Sequence, residues 1–469
     1  MSSFARLLAS ITIVFLAACS GSNNADDTPA PITQAEAEAI FDYAYPLVIM
    51  QISQDVMFTV PFRPKSWPNR FIHFKSLAQP KQKAVVLGNR NTLYSVGWLD
   101  LSEGPVVFEI PDMGERYYVM PLLDAWTNTF ASLGSRTTGQ SAQKYLIANP
   151  AWDGDTPEGF ELITSPTNMV WITGRIQADS PQDAEAVGEL QEQYTLKTLT
   201  EWRGGEDPFL DYKPRFKALG VRKPVPYSLK MKPGKFYNTF LQAWARNTAP
   251  EADQTMLDLL ETAGLKPGQT DSYSTLPSNV RSMLKRGLEA KQSSYLAAFY
   301  KGTEQTDPWI FNLDPNMGNW DTQYDRRAYW AMWGLGTNIV EDAVYGVTQL
   351  DTDLAELNGE NTYKMHFAPG TTPPSGAFWS VTNYDTDGYL EKNDLDRYSL
   401  GSHQPIRFNE DGSLDFYLSH TKPSGVENWV PAPKGKFKTL LRIYWPDQTV
   451  LDGEWDLPPL DRVDLSTAP

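Results

Sequence analysis

Cysteine occurs once in 469 residues, at Cys19, and histidine only at His73, His366, His403 and His420. One thiol excludes an internal disulfide, CxxC redox chemistry and thiolate metal sites. Stability in an oxidising compartment must then come from burial. Four scattered histidines give no spacing that favours a triple-histidine zinc site. Positive charge is also scarce. With 41 basic against 57 acidic residues, the formal charge of −16 argues against a nucleic-acid partner. Acidity in an exported protein is more simply a matter of solubility. The short signatures of common chemistries are missing too: no GxSxG elbow, no HExxH and no GxxxxGK[ST] loop. Gly334-Leu335-Gly336 lacks the third glycine of a dinucleotide fingerprint.

What is present begins with the leader. A basic start, Met1 to Arg6, precedes an apolar run from Leu7 to Phe15 and then Leu16-Ala17-Ala18-Cys19. This is the n-region, h-region and small-residue pattern of a secretory signal, closed by a lipobox cysteine. The apolar run is too short to span a bilayer permanently. The expectation is a signal over residues 1–18 with Cys19 lipidated, the alternative being an ordinary signal with an incidental cysteine. Ser20 stands where inner-membrane retention would need aspartate, so the expected address is the outer membrane, anchored by lipid and facing the periplasm. Residues 19–31, polar with Pro and Gly, read as a flexible tether.

With 41% hydrophobic and 12% aromatic residues, the chain can fill packed cores. Thr33 with Glu36 forms a capping-box signature ahead of a helix to about Val56, whose Ala, Ile, Tyr, Leu and Met content predicts cover on most sides. Short β-rich runs follow, at Leu93–Leu99, Pro105–Ile110, Arg116–Pro121 and Met169–Ile176, divided by Gly and Pro. They predict a β-sandwich rather than βαβ units. Ser180-Pro181 starts a helix expected to reach about Leu199. Further helices are expected at Lys235–Ala245, Pro250–Ala263, Pro277–Tyr300 and Tyr324–Val347. After Asp351 strands return, clearest at Ala377–Asn383, Leu414–Ser419 and Thr439–Trp445. The expected organisation is α+β and multidomain: residues 32–180 a helix plus an N-terminal β-sandwich, 181–350 mainly helical, and 351–469 a C-terminal jelly-roll-like β-sandwich.

Several ordered motifs carry a resemblance. Asn89-Arg90-Asn91-Thr92-Leu93-Tyr94-Ser95, Trp98-Leu99-Asp100-Leu101, Arg116-Tyr117-Tyr118, Asp124-Ala125-Trp126-Thr127-Asn128 and Gly134 to Gly139 resemble the family called domain of unknown function 1254. Ala377-Phe378-Trp379-Ser380, Tyr384 to Leu390, Arg397-Tyr398-Ser399, Asn428 to Pro433 and Leu441-Arg442-Ile443-Tyr444 resemble its partner, domain of unknown function 1214. The resemblance covers nearly all of the chain after the tether. It implies two sandwiches with a helical insert and brings no established reaction. The family usually carries aspartate where Asn91 stands, so a charge is missing here.

Two groups of residues suggest chemistry. Asn383, Asp385, Asp387 and Asp394, with Gly388 at the sixth place, mimic the oxygen-ligand spacing of an EF-hand calcium loop. Against calcium stand the uncharged first ligand, the short last one and the strand-like residues before them. The other account is an Asp-Gly turn, and no organic cofactor is expected. The second group is Asn69, Arg70, His73, Asn89, Asn91, Tyr94, Ser95, Asp124, Asn128 and Arg136. His73, Tyr94 and Arg136 are the candidate catalytic residues; Asn69, Asn89, Asn91, Asp124 and Asn128 the candidate substrate-binding ones. Histidine and tyrosine can move protons, and arginine or asparagine can hold an oxyanion. That inventory suits β-elimination from a uronic-acid sugar, or ester hydrolysis with Ser95 as nucleophile. Turn-forming Asn and Asp that bond their own backbone are the structural alternative. Clustered aromatics such as Tyr324, Tyr329, Trp330 and Trp333 suit core packing better than sugar stacking.

Two functions therefore stand open. One is a cofactor-independent hydrolase or lyase on a polar small molecule or saccharide. The other is a non-catalytic periplasmic ligand-binding or envelope-assembly protein, with its ligand held between the sandwiches. Convergence of Asn69, His73, Tyr94 and Arg136 on one pocket would favour the first, and scatter the second.

Overall fold

A computed structural model describes residues 30–59, 68–82, 86–212, 223–268, 272–301 and 305–465. The signal, Cys19 and nearly all of the tether lie outside the described residues. Helix α1 (Gln34–Thr59) opens with the expected capping box. The Thr33 amide donates to a Glu36 carboxylate oxygen at 2.6 Å, and the Glu36 amide to the Thr33 hydroxyl at 3.2 Å. The helix is apolar on nearly every side, and Phe41, Tyr43, Tyr45, Leu47, Val48 and Ile49 are fully buried. A helix without a polar face must be surrounded, and α1 is the hub of the helical layer.

Among the described residues, nine strands form the N-terminal sandwich: β1 (Phe71–His73), β2 (Thr92–Asp100), β3 (Val106–Ile110), β4 (Tyr118–Asp124), β5 (Thr129–Gly134), β6 (Gln143–Ala148), β7 (Glu161–Thr164), β8 (Met169–Gln177) and β9 (Thr195–Thr198). One sheet runs β1-β2-β8-β4-β5 and the other β7-β6-β3-β9. Between them lie Leu93, Phe108, Tyr118, Met120, Ile172 and Ile176. Helix α2 (Asp183–Gln191) is started by the Ser180 hydroxyl, which accepts the Asp183 amide at 3.1 Å, but it stops well short of Leu199. Thr195-Leu196-Lys197-Thr198 instead pairs with β3 as an edge strand. The N-terminal sandwich thus extends past the boundary expected at residue 180.

The helical layer packs α1 against α4 (Pro224–Ser228), α5 (Pro233–Trp244), α6 (Gln254–Thr262), α8 (Ser278–Lys301) and α9 (Tyr324–Trp333), with the short α3 (Leu199–Trp202) and α7 (Ser272–Thr275) outside it. The last helix ends at Gly334 rather than near Val347. Glycines at 334 and 336 interrupt it, Gly336 at φ +78°, and the β-branched residues beyond join a sheet.

The C-terminal sandwich contains β10 (Ile310–Phe311), β11 (Ala343–Thr348), β12 (Thr362–Phe367), β13 (Ser375–Asp385), β14 (Ser399–Gly401), β15 (Leu414–Ser419), β16 (Trp429–Pro431), β17 (Phe437–Pro446) and β18 (Leu460–Val463), with α10 (Gln448–Leu451) after β17. Its sheets run β10-β11-β17-β13-β14 and β16-β15-β12-β18. Trp379, Val381, Phe416, Leu441 and Ile443 fill the space between them. Because β10 and β11 precede residue 351, this sandwich starts earlier than its composition suggests. The molecule is α+β and multidomain.

Candidate functional site

Strand alternation directs the site. In β2, Leu93 and Leu99 face the sandwich core, while Val96 and Trp98 face the other way, toward the helices. Tyr94 shares that outer face, as does its cross-strand partner Arg175 on β8. In β17, Leu441 and Ile443 point into the C-terminal core, so Arg442 and Tyr444 point out; Ser380, Thr382 and Tyr384 do the same on β13. The two outward faces meet, and the residues between them are polar and aromatic.

Contacts across the junction are short. Asn89 Nδ2 donates to the Tyr444 hydroxyl at 2.6 Å, and Tyr384 donates to the Gly88 carbonyl at 2.8 Å. The Ser380 hydroxyl donates to Asn91 Oδ1 at 2.8 Å. Asn91 Nδ2 lies 3.1 Å from the Ser399 hydroxyl and 2.8 Å from His403 Nε2. With Nε2 accepting, the His403 proton resides on Nδ1, which has no partner among the described residues. Burial lowers the pKa of His403, and Asp179 opposes that effect.

Two guanidinium groups lie at the centre. Arg175 donates to the Thr173 carbonyl, to Asn338 Oδ1 at 2.7 Å and to the Gly336 carbonyl at 2.9 Å. Arg442 donates to the Thr382 hydroxyl, to the Leu87 carbonyl at 2.7 Å and to the Tyr384 hydroxyl at 2.8 Å. Arg175 lies 5.4 Å from the Tyr94 ring centre and Arg442 5.7 Å from that of Tyr384. The side chains are 7% and 3% exposed, and neither forms an ion pair with a described residue. Their partners are neutral. Burial raises the pKa values of Tyr345, Tyr384 and Tyr444, so these remain protonated phenols near neutrality. Burial is the largest influence on both arginines and opposes their charge, while the neighbouring tyrosines favour that charge only as phenolates. Tyr94 and Tyr444 neighbour both charges. The interior therefore holds two positive charges whose hydrogen bonds are met but whose charge is not.

The residues expected to act together are divided by the fold. Asn89, Asn91 and Tyr94 line this junction. His73 and Ser95 are register partners on the opposite face of the same sheet. His73 Nδ1 is 2.9 Å from the Ser95 hydroxyl, which also accepts from Gln191 at 3.2 Å. Ser95 is 0% exposed, so it cannot meet a substrate without an opening of the sheet. Burial lowers the His73 pKa to about 4. Arg136 joins the sandwiches by an ion pair to buried Asp342 at 2.7 Å. Asn69, in a left-handed conformation at φ 63°, accepts the Asp100 amide and donates to its carbonyl. Arg70 is held by Glu201 and Asp207.

Asp124 and Asn128 close their own turn. Asp124 Oδ1 accepts the amides of Trp126 and Asn128, and Oδ2 accepts Asn128 Nδ2. Burial raises the Asp124 pKa to about 6, against the lowering effect of these bonds. Both residues border a depression of about 350 Å³ with Trp126, Phe130 and Pro250. Its carboxylate is already satisfied, so this hollow offers less chemistry than the arginine pair.

The calcium pattern separates in the same way. Asn383 is buried, donating to the Val430 and Pro431 carbonyls and accepting from Thr439. Asp385 accepts the Tyr389 amide in a turn closed by Gly388 at φ 84°, and Asp387 and Asp394 are exposed. Asn383 is thus committed to the sheet, and the Asp-Gly turn accounts for the spacing. No group of three His, Cys, Asp or Glu among the described residues is arranged to hold a metal.

Arg175 and Arg442 are not among the candidate site residues expected from the sequence, although Arg442 lies in the Leu441–Tyr444 motif. Their signal was a single charge inside an otherwise apolar strand run, where arginine is rarely buried without a partner.

Comparisons agree with the architecture. Residues 68–198 match the family model described as protein of unknown function DUF1254, and residues 342–448 the one described as protein of unknown function DUF1214. The chain thus resembles these paired families in the order its motifs implied. Its fold is similar to a crystal structure of a Vibrio parahaemolyticus protein, 24% identical, covering 92% of this chain and 100% of that one with a TM-score of 0.71. An uncharacterized Burkholderia cenocepacia protein is 12% identical over 92% of this chain and 94% of that one, with a TM-score of 0.43. No curated protein matches the chain.

Proposed function

We propose that the protein binds a small anionic molecule, a carboxylate above all, at the junction between its two sandwiches. The observation that carries this reading is the pair of buried guanidinium groups, Arg175 and Arg442, without a carboxylate partner among the described residues. Burying an unpaired charge is unfavourable, and an anion that neutralises it recovers that cost. With both terminal nitrogens of each guanidinium already donating to protein oxygens, the attraction for a carboxylate is chiefly that of charge. Tyr94 and Tyr345 keep accessible surface beside Arg175, which supports access for a ligand.

Binding is favoured over catalysis because His73, Tyr94 and Arg136 lie on different faces and in different contacts, without a shared reacting position. The lipobox supports the further reading that Cys19 is acylated and holds this body at the periplasmic side of an outer membrane. No described helix is long and apolar enough to cross a membrane.

Isothermal titration of the chain with acetate, glucuronate and phosphate, at matched ionic strength, tests the proposal. Saturable heat with at least one anion is expected, lost in Arg175→Met and Arg442→Met. Heat that is absent for all three, or unchanged in both variants, overturns it.

A further inference from the structure

We infer that the anion bound at this junction is an amphiphile, a single carboxylate on an apolar chain or ring. The inference rests on the anion-binding reading above and specifies its ligand. The strands and loops that hold the guanidinium groups carry half-buried apolar and aromatic side chains as well as the polar Thr337. Phe74, Tyr94, Trp171 and Leu335 pack on the helical core, and Leu87 and Tyr345 on the cluster around Tyr384.

Several of these side chains are tied to the charged groups through their neighbours. The Phe74 amide donates to the Tyr94 carbonyl at 2.8 Å, fixing Phe74 beside the strand that carries Tyr94. Trp171 precedes Arg175 on the same face of β8, separated by Thr173, and stacks on Trp98 at 5.0 Å and 11°. A side chain at Gly336 would come within 2.7 Å of the Trp171 ring, while the Gly336 carbonyl accepts from Arg175. One glycine therefore brings the indole and the guanidinium to the same loop. Tyr345 extends the wall on the opposite sandwich, its hydroxyl accepting from Asn338, which also accepts from Arg175.

A hydrophilic anion such as a uronate needs partners for several hydroxyls, and these walls offer few: the Tyr94 and Tyr345 hydroxyls and Trp171 Nε1, which has no partner among the described residues. An apolar body loses nothing there and is removed from water. The charge of the ligand then pairs with Arg175 and Arg442, and its body lies along Trp171, Leu335 and Phe74.

Titration of the full chain with octanoate, 3-phenylpropanoate, acetate and glucuronate tests this. Octanoate or 3-phenylpropanoate should bind at least about tenfold more tightly than acetate and glucuronate, as burial of a few methylene groups predicts. Leu335→Asn, which removes apolar surface without adding charge, should weaken the amphiphiles at least about tenfold and acetate by less. Thermal unfolding of each variant establishes that it is folded. If glucuronate binds as tightly as octanoate, and Arg175→Met abolishes both, the amphiphile inference fails while the anion site stands. Carboxylate binding that ignores Arg175 removes both.

Discussion

At the scale of single residues, hydrogen-bond direction decides more than charge. Asn91 gives an oxygen to Ser380 and a nitrogen to His403, which fixes the neutral imidazole with its proton on Nδ1. Aspartate, usual at this position in the resembled family, would set a carboxylate against the Nε2 lone pair. Asn91→Asp should therefore turn Nε2 into a donor and raise the depressed His403 pKa. Imidazole NMR shifts across a pH titration read this; an unmoved His403 contradicts it.

Two other groups, half-buried His73 and buried Asp124, make opposite contributions to stability. The His73 pKa is lowered to about 4, so the unfolded chain binds more protons there between about pH 4 and 6.5, and stability is lost as pH falls through that window. The Asp124 pKa is raised to about 6, so its native form binds more protons between about pH 3.9 and 6, and stability is lost as pH rises through that window. His73→Gln should flatten the acid-side loss, and Asp124→Asn should flatten the loss toward neutrality. Urea midpoints measured from pH 4 to 7 (the interval spanned by both windows) separate the two. Identical slopes in wild type and variants would contradict both assignments.

At the scale of elements, close approach outweighs local propensity. A Cβ at Gly287 on α8 would lie 2.6 Å from the Ala37 carbonyl carbon and 2.8 Å from the Glu38 amide of α1. Alanine is the better helix former by about 1 kcal/mol. Gly287→Ala should nonetheless destabilise by about 1–3 kcal/mol, because the two backbones must separate. A gain in urea unfolding free energy would contradict that crossing. Much of the element order was readable from the chain: the Thr33–Glu36 box, the alternating runs of β2 and β8, and the β13 and β17 strands all stand where their patterns put them. The failures share a cause. Residues 195–198 and 343–348 follow helical texture, and only their pairing with β3 and β17, distant in sequence, makes them strands. The site was half legible for the same reason. Asn89, Asn91 and Tyr94 sit on recognisable motifs, but Arg175 and Arg442 become neighbours of the same phenols only when two sandwiches meet.

At the scale of the whole molecule, the junction between sandwiches joins structure to function. Arg136 and Asp342 clasp one part of it, and Asn91, Ser380, Ser399 and His403 another. In the proposed reading an anion pairs with Arg175 and Arg442 between them, so binding and domain cohesion should be linked. The most direct test is urea unfolding of wild type and the Arg175→Met/Arg442→Met double variant, in chloride and then in 3-phenylpropanoate at equal ionic strength. Wild type should gain stability with the carboxylate, about 2.7 kcal/mol at a concentration one hundred times Kd, and the double variant none. An equal gain in both proteins, or none in wild type, would contradict the anion site.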